Sequence, residues 1–287
     1  MLGHALMSEL RAMGSLEVHG SARRLGLLPD YLPADLLERV ILGVDASDLD
    51  SVRHALGEVR PDIVVNCIGV IKQDPAVDDA VNTISLNSLF PHVLARECAR
   101  KNARLIHVST DCVFSGRRGN YAESDLPDPT DLYGRSKLLG EVTAAPHLTL
   151  RTSIIGHELG TTRSLVDWFL SQTEVVKGFA KAIYSGLTTT EFARVLATVV
   201  FPRSELAGLF QLASTPISKY DLLRLVAAEY GWEGRLVQDD AVVIDRSLSA
   251  EAFFALTGYR APAWPEMIAE MHQSMPAGRR YAPRQAS

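Results

Sequence analysis

Through the first half of the chain, short apolar runs alternate with longer stretches in which apolar and polar positions recur at helical spacing. The runs at 16–22, 40–44, 62–68, 104–109 and 148–153 read as strands. The unbroken apolar character of 62–68 (DIVVNCI) and 104–109 (RLIHVS) is that of strands covered on both faces. Between them, helices are expected at 49–59, 79–102 and 133–141. This β–α–β–α rhythm predicts an α/β fold, a Rossmann-type doubly wound parallel sheet. Beyond residue 155 the pattern loosens. Helices are expected at 164–172, 190–200, 218–230 and 265–275, with a strand at 209–213. Such elements suit a small C-terminal α/β lobe over the carboxyl ends of the parallel strands, where open sheets bind ligands. The expected organisation is a nucleotide-binding unit over 1–155, a substrate lobe interleaved with it over 156–275, and a disordered tail over 276–287.

The start of the chain modifies that picture. A Rossmann unit opens with a strand, a glycine-rich turn and a helix. Here Met1 directly precedes Leu2-Gly3-His4-Ala5-Leu6, which reads as the end of that turn and the start of that helix. The first strand lies in the middle of the sheet in the usual order. It is expected to be missing from this sequence and to lie in an upstream extension of the reading frame, because its loss leaves buried backbone groups unpaired.

Composition narrows the function. The 287 residues are 47% apolar, enough for a sizeable core, and carry a formal charge of −5 with no long basic run. That argues against a nucleic-acid partner. No apolar stretch is long enough to span a bilayer, and the first residues lack the regions of a secretory signal. Cys67, Cys98 and Cys112 are widely spaced and odd in number, so they read as reduced thiols rather than a disulfide framework or zinc site. A cytoplasmic protein without a metal site is expected.

The chemistry concentrates in Ser109-Thr110-Asp111 and Tyr133-Gly-Arg-Ser-Lys137. Residues four apart on a helix share a face, so Tyr133 and Lys137 should point the same way. An ammonium beside a phenol favours the phenolate, which would let Tyr133 move a proton near neutral pH. Thr110, at the carboxyl end of a strand, is placed to hydrogen-bond a substrate carbonyl. Asp125 and Asp128 sit in a proline-rich loop and read as turn residues.

With these residues the chain resembles the extended short-chain dehydrogenase/reductases, and among them the dTDP-4-dehydrorhamnose reductase branch. The resemblance is carried by Arg60-Pro-Asp-Ile-Val-Val-Asn66, His107-Val-Ser-Thr-Asp-Cys-Val-Phe114-Ser-Gly116, Tyr133-Gly-Arg-Ser-Lys137-Leu-Leu-Gly-Glu141 and Arg151-Thr-Ser153. It implies a catalytic triad of Thr110, Tyr133 and Lys137 and a keto-sugar substrate linked to a nucleoside diphosphate. Leu2 and Gly3 match the end of the family's phosphate-binding turn. Arg23 and Arg24 follow the next strand, where arginine suits a 2′-phosphate, so NADP(H) is favoured with NAD(H) the alternative. Asp45 matches the adenine position. Asn66, Cys67, Ile68 and Gly69 should line the cofactor cleft, with Asn87 and Ser109 beside the active site. Cys112 and His157 replace residues that are commonly aromatic in the branch, which bears on the identity of the sugar. Lys72, Arg163 and Lys177 are candidates for diphosphate contacts. A nucleotide-sugar epimerase or dehydratase, or a regulatory subunit without turnover, stays open, as does a monomer or homodimer.

Overall fold

The computed structural model describes residues 1–275; the tail expected over 276–287 lies outside them. Helix α1 (Leu2–Ala12) starts the chain and turns Leu6, Met7 and Leu10 inward. It is followed by β1 (Gly20–Ala22), α2 (Ala34–Leu37), β2 (Val40–Leu42), α3 (Leu49–Val59) and β3 (Ile63–Asn66). Next come α4 (Ala80–Ile84), a π-turn (Ser85–Leu89), α5 (Phe90–Arg100), β4 (Arg104–Thr110), α6 (Leu132–Leu139) and β5 (Leu148–Thr152). The second half holds β6 (Ile154–Ile155), α7 (Leu165–Leu170), β7 (Val175–Phe179), β8 (Ala182–Tyr184), β9 (Leu187–Thr188), α8 (Thr189–Val195), β10 (Gly208–Gln211) and β11 (Ile217–Ser218). It ends with α9 (Lys219–Tyr230), β12 (Arg235–Asp239), β13 (Ile244–Asp245), α10 (Glu251–Thr257) and α11 (Trp264–Gln273).

The parallel sheet is present but divided. Four strands run in the order β10-β5-β4-β3, all parallel, while β1 and β2 form a separate parallel pair. Among the described residues no strand joins β1 to β3. Instead both face a cavity of about 740 Å³ that Leu6, Met7 and Leu10 of α1 line, together with Val52 and Leu56 of α3 and Phe90 and Leu94 of α5. The cavity lies between β1 and β3: helices cover it above and below, and among the described residues an unpaired strand edge bounds it on each side.

Helices cover both faces of the four-stranded sheet. On one side α3 and α5 pack Val52, Leu56, Phe90, Leu94 and Cys98 against Leu105. On the other, Ile106, Leu148 and Leu150 meet Phe169, Phe192, Leu196, Leu222, Phe253 and Met267. That second cluster joins α1 and the sheet to α7, α8, α9 and α11, and β10 enters the sheet beside β5, so the two halves of the chain share one core. Local signals fix the helix ends. Asp48 caps α3 by accepting from the N–H groups of Asp50 and Ser51, and Asp131 caps α6 through Gly134 N–H.

Two expectations need correcting. The single helix over 79–102 is interrupted at 85–89, where the π-turn widens the backbone and carries Asn87 fully inside. The short strands β6 to β9 and β11 to β13 escape the sequence pattern because most have two or three residues, too few to show a period. Only three residues of the run at 16–22 are strand, since β1 pairs with β2 alone and 14–17 are exposed.

Two outcomes are expected. Amide hydrogens of β1 and β3 that point into the cavity should exchange far faster than those of β4, which is paired on both sides; hydrogen-exchange mass spectrometry showing equal protection would count against an open slot. Phe192→Ala, at a fully buried position of the shared core, should lower unfolding stability by about 3–5 kcal/mol in a denaturant titration.

Candidate active site

Strand β4 is the frame of the site. It is buried along nearly its whole length and delivers Ser109, Thr110 and Asp111 at its carboxyl end. Thr110 Oγ1 accepts from the Cys112 N–H at 3.1 Å, capping the short turn 111–113, and donates to Asp111 Oδ1 at 3.1 Å. Helix α6 approaches this turn closely. A Cβ at Gly134 would collide with the Cys112 carbonyl, and one at Gly140 with the Asn87 carbonyl, so glycine is required at both ends of the helix. This approach brings the Tyr133 phenol beside Thr110 and buries Lys137. Lys137 Nζ donates to the Val108 carbonyl at 2.8 Å and lies 3.4 Å from His107 Nε2.

The electrostatics differ from the expectation in one respect. Loss of water around the Tyr133 phenol, reinforced by Cys112, Asp111 and Asp131, raises its pKa above the ordinary tyrosine range; the Thr110 hydrogen bond opposes this. The phenol is therefore held in its protonated form rather than as a phenolate beside Lys137. Burial brings Lys137 down to about 8, with Glu141 and Cys67 acting in the opposite direction.

Three residues expected beside the cofactor turn their polar groups inward. Asn87 accepts from Val70 N–H and donates to the Val70 carbonyl and Ser136 Oγ, so it braces the loop after β3 against α6. Ser109 donates to Glu141. Asn66 accepts from Ile68 N–H and contacts His107. The others lie on exposed cleft surface. Gly3, in the first turn of α1, stands against Cys67, with 3.9 Å between their Cβ positions. Leu2 is half-buried beside it, Ile68 and Gly69 are exposed, and Arg23 and Arg24 are exposed after β1. Asp45 accepts from the N–H and hydroxyl of Ser47, which lower its pKa, as does Arg23 nearby. The α1 N-terminus has no side-chain cap and begins at this cleft, where the positive end of the helix suits an anion. Phosphate donors at α1, cations after β1, and Lys137 and Tyr133 beyond them are together a donor set suited to a phosphorylated dinucleotide.

The sequence pattern missed a second group of cations. Lys219, at the start of α9, and Arg246, after β13, come together with Lys72 around Asp111 and Cys112. Arg246 Nε donates to the Phe114 carbonyl at 2.9 Å, and Lys72 pairs with Asp131 at 2.7 Å. Tyr184, buried and close enough to Asp111 to feel its charge, has a hydroxyl without a hydrogen-bond partner among the described residues. No local motif marks these residues, because each comes from a different element. Of the three cations expected to meet a diphosphate, only Lys72 is here. Arg163 pairs with Asp74, and Lys177 with Asp239 on the β7–β12 pair. His157 is held by Asp167 at 2.8 Å and Tyr230 at 2.9 Å.

The family model described as the RmlD substrate binding domain matches residues 1–272. The chain belongs to that family. Among relatives of this RmlD-family chain, the spore coat polysaccharide biosynthesis protein SpsK of Bacillus subtilis is 27% identical, over 80% of this chain and 85% of that protein. The dTDP-4-dehydrorhamnose reductase of Mycobacterium tuberculosis is 44% identical over 126 residues, 40% of this chain and 41% of that protein. The same fold occurs in the Bacillus anthracis dTDP-4-dehydrorhamnose reductase solved with NADP, at TM-score 0.71 and 20% identity, covering 86% of this chain and 93% of that one. Bordetella bronchiseptica WbmG, solved with NAD and UDP, gives TM-score 0.77 at 17% identity, covering 96% and 91%.

Behind the site, Glu141 grips Arg151 through two 2.8 Å hydrogen bonds with both side chains almost wholly buried. Glu141→Ala strands the guanidinium and should cost about 3–5 kcal/mol of unfolding stability; a loss below 1 kcal/mol in calorimetry would show the pair to be dispensable.

Proposed function

We propose that this RmlD-family chain is an NADP(H)-dependent reductase of a nucleotide-linked keto-sugar, similar in chemistry to dTDP-4-dehydrorhamnose reductase. The observation that carries this reading is the convergence of Thr110, the buried Tyr133 phenol beside it and the buried Lys137 on β4 and the helix α6 packed against its carboxyl end. The relatives named as dTDP-4-dehydrorhamnose reductases support the substrate class. The exposed Arg23 and Arg24 favour a 2′-phosphate on the cofactor, with NAD(H) the alternative.

Bound NADPH supplies the hydride that reduces the keto carbon. Tyr133 gives its proton to the carbonyl oxygen as negative charge develops there. Thr110 then steadies the phenolate left behind, and the Lys137 ammonium offsets its charge. Gly3 and the first turn of α1 would hold the cofactor's pyrophosphate, Arg23 and Arg24 its adenosine end. Lys219, Arg246 and Lys72 bind the substrate's diphosphate, and the buried Tyr184 hydroxyl hydrogen-bonds the sugar or phosphate between them. The site is intracellular in this reading, because nucleotide sugars and NADPH are cytoplasmic reagents; among the described residues no helix is long and apolar enough to cross a membrane.

A binding role without turnover is the second reading. It is favoured by the open slot beside α1 and by a match to rat methionine adenosyltransferase 2 subunit beta, 35% identical over 34% of this chain and 29% of that protein.

The test is NADPH absorbance with a dTDP-4-keto-6-deoxy sugar. Tyr133→Phe should lower kcat by about 10²–10⁴-fold with NADPH binding kept. Cofactor bound but never consumed would favour the second reading. Because Lys137 must be an ammonium, kcat/KM should fall as pH rises through about 8; a profile flat to pH 10 would remove Lys137 from the scheme. Lys219→Met should raise KM for the sugar nucleotide at least tenfold with little change in KM for NADPH, and an unchanged substrate KM would exclude the diphosphate role.

A further inference from the structure

His107 is fully buried on β4 and has no part in the scheme above, yet it touches Lys137. Its hydrogen-bond directions can be worked out in sequence. The Ile68 N–H can only donate, and it meets Asn66 Oδ1 at 3.0 Å, which fixes the orientation of the amide. Asn66 therefore presents its NH₂ to His107 Nδ1, 3.2 Å away across the β3–β4 register pair Asn66–His107. A ring nitrogen receiving a donor must offer its lone pair, so the neutral ring carries its proton on Nε2. Burial strongly favours that neutral ring, and the nearby Lys137 and His92 add to it. The Nε2–H points at Lys137 Nζ at 3.4 Å, while Nζ itself donates to the Val108 carbonyl. Every hydrogen-bond direction in this chain, from Ile68 through Asn66 and His107 to Lys137 and Val108, is satisfied when Nζ is a free amine. An ammonium would set two donors against each other.

We propose that His107, oriented by Asn66, is a positioning residue that controls the protonation of Lys137 by presenting a donor to Nζ. The other groups facing Lys137 are the Cys67 thiol from the end of β3 and the Glu141 carboxylate from the loop after α6. Glu141 is already committed to Arg151 and Ser109, so it supports the ammonium at a distance without taking its hydrogen bond. Two opposed influences therefore meet at Nζ: a carboxylate that retains the proton and an imidazole N–H that repels it. In an enzyme this balance lets a ligand acceptor arriving at Nζ decide the charge of the lysine. The role in turnover rests on the reductase reading; the tautomer and the titration do not.

The first experiment is on the unliganded full-length chain with ¹⁵N-labelled histidine, where long-range ¹H–¹⁵N correlations distinguish the two tautomers. The His107 ring, assigned by its loss in His107→Gln, should be protonated on Nε2; a ring protonated on Nδ1 overturns the proposal. The second is titration of labelled lysine side chains. In His107→Gln the side-chain carbonyl can turn to accept from Nζ, so the Lys137 midpoint should rise by about one pH unit. An unchanged or lower midpoint overturns the proposal; because rehydration would also raise it, the rise counts only if amide protection of β4 and α6 matches the wild type, and otherwise the wild-type tautomer decides. If the variant does not fold, the wild-type tautomer still decides. In the kinetic assay the basic limb of kcat/KM should move upward by the same amount. A shifted titration in a protein that never oxidises NADPH would leave the tuning in place and remove the reductase reading.

Discussion

The close approach of α6 to the turn after β4 is the contact on which the rest of the site depends. It exists because residues 134 and 140 have no side chains; a Cβ at either would strike backbone carbonyls of Cys112 or Asn87. With those contacts made, Tyr133 meets Thr110, Lys137 enters the space beside His107, and Glu141 reaches Arg151 on β5. The π-turn at 85–89 belongs to the same arrangement. By rotating Asn87 inside it supplies the amide that ties Val70 and Ser136 together beneath the helix.

Buried polar groups are the cost of this geometry, and two arginines are each held by several partners, although Arg151 Nη1 and Arg104 Nε have none among the described residues. Arg151 has two hydrogen bonds to Glu141 and lies over the Phe114 ring at 5.2 Å. Arg104 reaches the carbonyls of Val200, Arg203 and Leu206, fastening the start of β4 to the second half of the chain. Such groups lose hydration on folding and recover it only if every partner is in place, so they fix relative positions more sharply than apolar contacts do. The Tyr184 hydroxyl is also buried without a partner among the described residues, near Asp111 and the cations gathered around it.

The divided sheet sets two parts of the molecule apart energetically. The β10-β5-β4-β3 sheet is paired and sandwiched between helices, whereas the β1–β2 pair is held through α1, α2 and its own ladder. Thr110, Tyr133 and Lys137 stand on the first part. The cations and Asp45 that suit the adenosine end of a cofactor stand on the second. Cofactor affinity is therefore more exposed to the open slot than is the geometry of Thr110, Tyr133 and Lys137.

Local pattern alone made much of this legible. The order of strands and helices to residue 153 followed from apolar periodicity, because buried parallel strands and amphipathic helices leave distinct repeats. Helical spacing placed Tyr133 and Lys137 on one helix, and the apolar pattern after Met1 placed a helix from Leu2. What required the tertiary structure was every relation between distant residues. Asn66, Asn87 and Ser109 looked like cleft residues but turn inward, since the direction of a side chain depends on neighbours across the sheet. Lys219 and Arg246 gather near Asp111 while Lys177 pairs with Asp239 elsewhere, although all are ordinary cations in the sequence. The sequence determined which residues are able to do the chemistry; packing decided which of them meet, because burial and charge act through space rather than along the chain.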